Sequence, residues 1–257
     1  MPWDANSYLK FSDQRTRPSV DLVARIALAA PRSIVDLGCG PGNSTQVLRN
    51  RWPAASVFGL DRSEEMIAFA REAYPEQAWT RADIREWSPA GTFDLIFSSS
   101  TLQWLDDHRG LVRRLMSFVT AGGGLAFQIP SDAYALVRTY IHEIADDPVW
   151  RERMRGPRSA LTMESPSFYY DALASQARWI DIWETEYDFV MDGPQDIVDW
   201  IASTGLRPFL EELDAREQAD FLSRLRARVA DGYARRADGR LLFPFRRVFV
   251  IAYAEER

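Results

Sequence analysis

The sequence has very few residues that bind metals or form disulfides. Cys39 is its only cysteine, and His108 and His142 are its only histidines. One cysteine allows neither an intramolecular disulfide nor a cysteine metal cluster, and two histidines disfavour a histidine-rich metal site. We therefore predict no metal centre.

Long apolar runs are scarce as well, and the 31 basic residues are outnumbered by 37 acidic ones. No stretch approaches the roughly 18 apolar residues of a membrane span, and the start, residues 1–4, lacks the basic and apolar segments of a signal peptide. The net charge is −6 and the pI about 5.1, which disfavours a surface for nucleic acid. We expect a soluble cytoplasmic protein without a nucleic-acid or membrane partner; the oligomeric state is not predicted.

Apolar residues nevertheless make up 46% of the 257 residues, enough for a substantial core. Short apolar segments predict strands near 34–37, 56–61, 77–80, 93–98 and 125–129. Segments with helical spacing, at 19–30, 44–51, 63–74 and 108–118, separate them or precede the first. This alternation predicts a parallel, doubly wound α/β sheet. Beyond it we predict helices at 133–146, 167–176, 194–204 and 211–237, a turn at 121–124, and strands at 178–191 and 243–253.

A glycine loop lies between the first predicted strand and the next helix. Gly38, Gly40 and Gly42 occupy alternate positions after Asp36, and glycine lets a ligand lie against bare backbone. Asn43 stands where the dinucleotide fingerprint needs its third glycine, and no lysine completes a phosphate-binding loop. The loop therefore indicates a small-molecule site of another kind, or a tight turn in an unrelated α/β protein.

A second acid follows the second predicted strand. Asp61 lies 25 positions after Asp36, and an acid at the end of this strand accepts hydrogen bonds from ribose hydroxyls in nucleoside-binding α/β folds. Its alternative role, a helix cap, suits Ser63 better. We predict a nucleoside at this edge of the sheet.

The segment Asp36-Leu37-Gly38-Cys39-Gly40-Pro41-Gly42 resembles motif I of the class I S-adenosylmethionine-dependent methyltransferases. The resemblance implies their Rossmann-like sheet, mostly parallel with an antiparallel last strand, and S-adenosyl-L-methionine as the cofactor, released as S-adenosyl-L-homocysteine. It places the ammonium group of the cofactor near Asp36, its ribose at Asp61, and its adenine at Asp83 and Ile84. The full set of implied cofactor-binding residues is Asp36, Gly38, Gly40, Gly42, Asp61, Arg62, Asp83, Ile84, Ser99 and Gln103.

Other segments resemble one family of carboxyl O-methyltransferases within this class. They are residues 8–12, 15–18, 102–105 and 203–208, whereas 133–165 matches least. The resemblance implies a small tricarboxylic acid as substrate, made into a monomethyl ester by direct displacement, without a catalytic acid or base. We predict that cations and neutral donors hold this acid, namely Tyr8, Arg15, Arg17, Tyr169, Arg207 and Arg246.

The resemblance also implies one domain, 1–257. An N-terminal lid (1–18) precedes the cofactor-binding core (19–130), and helical insertions at 131–177 and 192–240 lie over the carboxyl edge of the sheet. Residues 1–17 could equally form a frayed leader. Two other functions stay open: a methyltransferase for another small acid or an acyl carrier, and a non-catalytic module that binds S-adenosylmethionine and regulates a partner.

Overall fold

The computed structural model describes residues 11–131 and 136–256. Most of the predicted lid, including Tyr8, therefore lies outside the described residues, as do residues 132–135. The described chain divides into two units. The larger contains 11–130, 162–185 and 247–256, and the smaller contains 131, 136–161 and 186–246. Of the expected insertion 131–177, residues 162–177 belong to the larger unit.

Helices and strands alternate through the first half of the chain. The helices are α1 (Ser12–Arg25), α2 (Asn43–Arg51), α3 (Glu64–Ala73), α4 (His108–Ser117), α5 (Leu136–Ala145), α6 (Arg155–Arg158), α7 (Pro166–Leu173), α8 (Pro194–Ala202), α9 (Arg207–Glu211) and α10 (Ala215–Gly232). The strands are β1 (Ser33–Leu37), β2 (Ser56–Asp61), β3 (Ala78–Arg81), β4 (Phe93–Ser99), β5 (Val119–Pro130), β6 (Ala177–Met191) and β7 (Leu241–Ala254).

The strands form one sheet in the order β3-β2-β1-β4-β5-β7-β6. Strands β1 to β5 pair in parallel, whereas β7 runs antiparallel to β5. This confirms the predicted sheet and its antiparallel final strand. Because β1 pairs with both β2 and β4, the strand order reverses there, and ligands of open α/β sheets bind at such a point, beyond the carboxyl ends of the strands.

The core lies on both faces of the central strands. Val35 of β1 and Ile96 of β4 are fully buried on one face, and their neighbours Ile34 and Phe97 are fully buried on the other. Parallel strands that are buried on both faces have continuous apolar sequences, and such sequences predicted these strands. Burial of this apolar surface stabilises the larger unit by about 25 cal/mol per Å².

Two elements differ from the sequence predictions. Helix α1 begins at Ser12 and contains Pro18, whereas we expected it to follow that proline. It also ends at Arg25 rather than Ala30, because the next segment is held by tertiary hydrogen bonds: Ala27 N donates to Tyr253 Oη at 2.7 Å. The predicted turn at 121–124 is part of β5, where the register with β4 shifts.

The smaller unit contains α5, α6, α8, α9 and α10. Trp200 and Phe243 are among its buried aromatic side chains. The helix predicted over 211–237 is shorter in the structure. The side chain of Asp214 accepts from Arg216 N and Glu217 N and starts α10, which ends at Gly232. Within 11–131 and 136–256, no helix has the length and apolar character needed to cross a membrane.

Candidate active site

The glycine loop joins β1 to α2 in a left-handed backbone conformation. The φ angles are +73° at Gly38, +53° at Gly40 and +100° at Gly42, a region that side chains with a Cβ avoid. A Cβ on Gly38 would lie 2.1 Å from Thr101 Cγ2, whereas a Cβ on Gly40 would meet nothing within 4 Å. Gly38 is therefore required by packing, and Gly40 leaves bare backbone beside open space.

Asp61, the last residue of β2, fixes this loop. Its Oδ2 accepts from Gly40 N at 3.0 Å and its Oδ1 accepts from Ser63 N at 2.8 Å. Burial raises the pKa of the Asp61 carboxyl above its usual value. Each carboxylate oxygen can accept a further hydrogen bond, so the Asp61 carboxylate can both hold the loop and receive a diol.

Asp36 is fully buried behind the loop. Its Oδ2 accepts from Ser44 Oγ at 2.6 Å and from Thr45 Oγ1 at 2.7 Å, which ties β1 to the first turn of α2. Its Oδ1 is buried and has no hydrogen-bond partner within the described ranges. Burial raises the pKa of Asp36 to about 6.

A cavity of about 110 Å³, open to solvent, lies at the ends of β1, β2 and β4. Its lining consists of Gly38, Gly40, Pro41, Asp61, Arg62, Met66, Ala82, Asp83, Ile84, Ser99, Ser100, Thr101, Trp104 and Leu105. Seven of the ten predicted cofactor residues are therefore gathered around one cavity.

The other three, Asp36, Gly42 and Gln103, support the cavity from behind. Gly42 lies before α2, where a Cβ would be 2.8 Å from Trp79 Cη2. Gln103 is buried and its Nε2 donates to Ser100 O at 2.7 Å. None of the three lines the cavity, so their predicted contacts with a cofactor stay predictions.

Asp83 and Ile84 form one wall of the cavity. Ile84 is buried and apolar. The carboxylate of Asp83 is held by Arg85, whose Nε and Nη2 donate at 3.0 and 2.5 Å. These hydrogen bonds keep the pKa of Asp83 below its usual value. The carboxylate is therefore ionised at neutral pH and able to accept.

On the other side of β1, a polar cluster follows β4. Arg247 is only 5% exposed, and its Nη1 donates to Ser100 Oγ at 2.7 Å and to Gln128 Oε1 at 2.8 Å. Gln128 Nε2 also donates to Ser99 Oγ, which shares a 2.8 Å hydrogen bond with Ser19 Oγ of α1. Ser100 itself has φ +56°, unusual for a residue with a side chain.

Of this cluster only Ser99 was predicted from the sequence, and Arg246 was named rather than Arg247. The side chain of Arg246 pairs with Glu186 at 3.1 Å, within the smaller unit. Successive side chains of a strand point to opposite faces. This alternation predicts that Arg246 and Arg247 point to opposite faces of the strand. It does not predict which of the two contacts other polar groups.

The remaining predicted substrate residues are dispersed. Arg15 is buried on α1, one turn before Ser19, whereas Arg17 is exposed. Tyr169 is in the core, where its Oη is 2.5 Å from His108 Nδ1. Arg207, in the smaller unit, pairs with Glu211 at 3.2 Å. Their roles towards a substrate stay predictions.

The cavity fits the cofactor that the motif implies. Gly40 offers bare backbone, Asp61 offers acceptors to a diol, and Ile84 provides an apolar wall. S-adenosylmethionine contains a diol, a cationic amino group and a flat adenine ring. The diol and the ring thus have chemically matching residues in the cavity lining, whereas Asp36, whose buried Oδ1 would match the amino group, lies outside that lining.

The sheet order and this cavity define a class I methyltransferase. A family model for the methyltransferase domain matches residues 34–123. Among solved structures, a YcgJ protein from Bacillus subtilis covers 94% of this chain and all of its own, with a TM-score of 0.59 at 14% identity. A methyltransferase-like protein from Bacillus halodurans has a TM-score of 0.60 at 13% identity and covers 93% of this chain and 99% of its own. At this identity the likeness shows the fold alone.

Relatives of known name are similar over nearly the whole chain. The trans-aconitate 2-methyltransferase of Azoarcus sp. (strain BH72) is 44% identical, over 97% of this chain and 98% of its own. The enzyme of the same name from Methylobacterium nodulans is also 44% identical, over 97% of both chains. The chain therefore belongs to the trans-aconitate 2-methyltransferase family of S-adenosylmethionine-dependent methyltransferases.

Proposed function

We propose that this protein transfers a methyl group from S-adenosylmethionine to a carboxylate of trans-aconitate. The proposal rests on one main observation: 44% identity, over 97% of the chain, to proteins named trans-aconitate 2-methyltransferase. The cavity at the ends of β1, β2 and β4 supports it, because its lining suits the nucleoside part of this cofactor.

The residues of the cavity bind and orient the cofactor in this proposal. The Asp61 carboxylate accepts from the ribose hydroxyls while it keeps its hydrogen bond from Gly40 N. Asp83 accepts from the amino group of the adenine, and Ile84 packs on the ring. When bound, the cofactor supplies an electrophilic methyl group on a sulfonium centre.

The acceptor needs no general base, because a carboxylate is already ionised at pH 7. A carboxylate oxygen of the acid would form the C–O bond of the ester with the methyl carbon, while the C–S bond would break and leave its electron pair on sulfur, as a neutral thioether. The protein contributes alignment of oxygen, carbon and sulfur, and such positioning contributes roughly 7–11 kcal/mol.

A substrate with several carboxylates requires local positive charge, since the chain carries a net charge of −6. Arginine suits this task because its guanidinium can hold a carboxylate with two parallel hydrogen bonds. Arg15, Arg17, Arg207 and Arg246 are the predicted cations. Location in the cytoplasm also remains part of the proposal.

The test is methyl transfer from radiolabelled S-adenosylmethionine to a panel of acids. The panel contains trans-aconitate, cis-aconitate, citrate, isocitrate and a fatty-acyl carrier protein. We expect label mainly in the monomethyl ester of trans-aconitate. Preferred labelling of another acid or of the carrier would replace the substrate, and cofactor binding with no labelled product would favour a non-catalytic module.

A further inference from the structure

Ser100, Gln128 and Arg247 meet at one edge of the larger unit: Ser100 follows β4, Gln128 lies near the end of β5, and Arg247 lies within β7. Ser99, the last residue of β4, is opposite Gln128 of β5, and Pro130 is opposite Arg247. Because β7 is antiparallel, the residues of β7 that pair with the end of β5 lie at the carboxyl edge of the parallel strands. This edge is where the cavity lies.

The hydrogen bonds of the cluster have defined directions. A guanidinium can only donate, so Arg247 Nη1 donates to both Gln128 Oε1 and Ser100 Oγ, at 2.8 and 2.7 Å. This contact fixes the Gln128 amide with its oxygen towards Arg247. Gln128 Nε2 must therefore donate, and it does so to Ser100 Oγ at 2.8 Å.

Ser100 Oγ thus accepts two hydrogen bonds, which use both lone pairs of a hydroxyl. Its hydrogen remains to be donated, and the described residues offer no acceptor for it. The cavity is the space beside it, because Ser100 is only partly buried and belongs to the cavity lining. The Ser100 hydroxyl is therefore oriented to donate a hydrogen bond into the cavity.

The backbone holds Ser100 in this position. Its N–H donates to Gln128 O at 3.0 Å, and its carbonyl accepts from Gln103 Nε2 at 2.7 Å. With φ +56°, the residue occupies a left-handed conformation that is unfavourable for a residue with a Cβ. Backbone strain of this kind persists only where the surroundings enforce it, and it is frequent at ligand sites.

We propose that the Ser100 hydroxyl, backed by the buried charge of Arg247, donates a hydrogen bond to a carboxylate of the acid substrate. A donor polarised by a neighbouring cation suits an anionic acceptor. The inference rests on the proposed function, because it names a contact within the same site.

The carboxylate could in principle come from two sources, the acid substrate or the amino-acid end of the cofactor. The sheet order favours the acid. Asp61 and Asp83, which suit the nucleoside, lie on the β2 and β3 side of β1, whereas the Ser100 cluster extends in the opposite direction, to β5 and β7. The amino-acid end of the cofactor is expected at Gly38 and Asp36, which lie at the end of β1 itself.

The experiment measures two affinities by calorimetry with the full chain. Trans-aconitate is titrated into protein saturated with S-adenosylhomocysteine, and S-adenosylhomocysteine is titrated into protein alone. The variants are Ser100→Ala and Ser100→Gly, of which the second tolerates the positive φ. Ser117→Ala is the matched control, because Ser117 is exposed and donates only to Arg114 O at 2.7 Å.

We expect both Ser100 variants to bind trans-aconitate on the order of 10- to 100-fold more weakly, with S-adenosylhomocysteine affinity unchanged. Arg247→Lys, which keeps the charge, should lose less affinity for the acid than Arg247→Gln. Ser117→Ala should match the wild type. Circular dichroism melting of every variant identifies any that fails to fold, and the Ser100→Gly result then decides.

Three outcomes would overturn the inference. If Ser100→Gly bound trans-aconitate as tightly as the wild type does, the proposed contact would be excluded. A loss of affinity for S-adenosylhomocysteine alone would show that the Ser100 hydroxyl donates to the carboxylate of the cofactor instead. A wild-type protein that binds S-adenosylhomocysteine but neither binds nor methylates any acid of the panel would overturn the proposed function itself, and the contact with it.

Discussion

The carboxylate of Asp61 accepts a hydrogen bond from the backbone N–H of Gly40 at 3.0 Å. This contact joins the end of β2 to the loop after β1, the two places where the sequence predicted a nucleoside site. The same carboxylate lines the cavity. One side chain thereby shapes the glycine loop and presents acceptors to the ligand.

We predict that Asp61→Ala lowers the affinity for S-adenosylhomocysteine on the order of 10- to 100-fold, because it removes charged hydrogen bonds to the ligand and an acceptor for Gly40 N. Calorimetry checks this. Glu64→Gln is the control for the loss of one negative charge, since Glu64 pairs with Arg81 in solvent. An affinity equal to that of the control would exclude Asp61 from the site.

Gly38→Ala and Gly40→Ala should separate folding from binding. Both positions have positive φ, which costs a residue with a Cβ roughly 1–2 kcal/mol. Gly38→Ala also places its Cβ 2.1 Å from Thr101 Cγ2, so it should unfold at a clearly lower temperature than Gly40→Ala. Gly40→Ala should fold and lose affinity for S-adenosylhomocysteine. Thermal melts and calorimetry on the pair decide, and equal melting temperatures would contradict the packing argument.

Asp36 should make stability depend on pH. Its pKa is raised by burial to about 6 in the folded protein, from an ordinary 3.8. The folded state then binds the proton more tightly than the unfolded state. The stabilisation is therefore complete below about pH 4 and is lost as the pH rises to about 6, by on the order of 3 kcal/mol.

Asp36→Asn removes this titration while its amide oxygen still accepts from Ser44 and Thr45. The free energy of unfolding of the variant minus that of the wild type should therefore increase between pH 4 and pH 6 and stay constant above. Urea unfolding of both proteins across this range measures it. A difference that does not vary with pH would show that Asp36 titrates normally.

Tyr169→Phe should lower stability without changing the KM for the acid. The Tyr169 hydroxyl is buried against His108 Nδ1 at 2.5 Å, so its removal leaves a buried ring nitrogen unsatisfied, at a cost of about 1–3 kcal/mol. Tyr170→Phe is the control, because Tyr170 is 55% exposed. A raised KM with unchanged stability would instead support the substrate role predicted from the sequence.

Arg207→Ala should raise the KM for trans-aconitate about tenfold or more while the affinity for S-adenosylhomocysteine stays the same, because a charged hydrogen bond to the acid would be lost. Steady-state kinetics and calorimetry separate the two effects. Arg240→Ala, which breaks an exposed pair with Asp192, is the control within the smaller unit. A KM equal to that of the control would remove Arg207 from the predicted set.

The cofactor side of the site could be predicted because it depends on local backbone geometry. Gly40 and Asp61 follow strands that continuous apolar runs reveal, and parallel strands bring their carboxyl ends to one edge. The substrate side could not be predicted in this way. Tyr169 was chosen as a donor, yet its ring lies among core residues that the sequence places about 60 positions away, such as His108.

The amino-acid sequence by itself determined the sheet, the glycine loop and the acid at the end of the second strand, because strand burial and turn geometry are encoded over short stretches. Only the tertiary structure decided which polar groups meet beyond the fourth strand. Ser100, Gln128 and Arg247 are separated by up to 147 positions, and their contacts exist because an antiparallel strand returns to this edge. The sequence shows two adjacent arginines, and the fold buries Arg247 beside Ser100 while Arg246 pairs with Glu186.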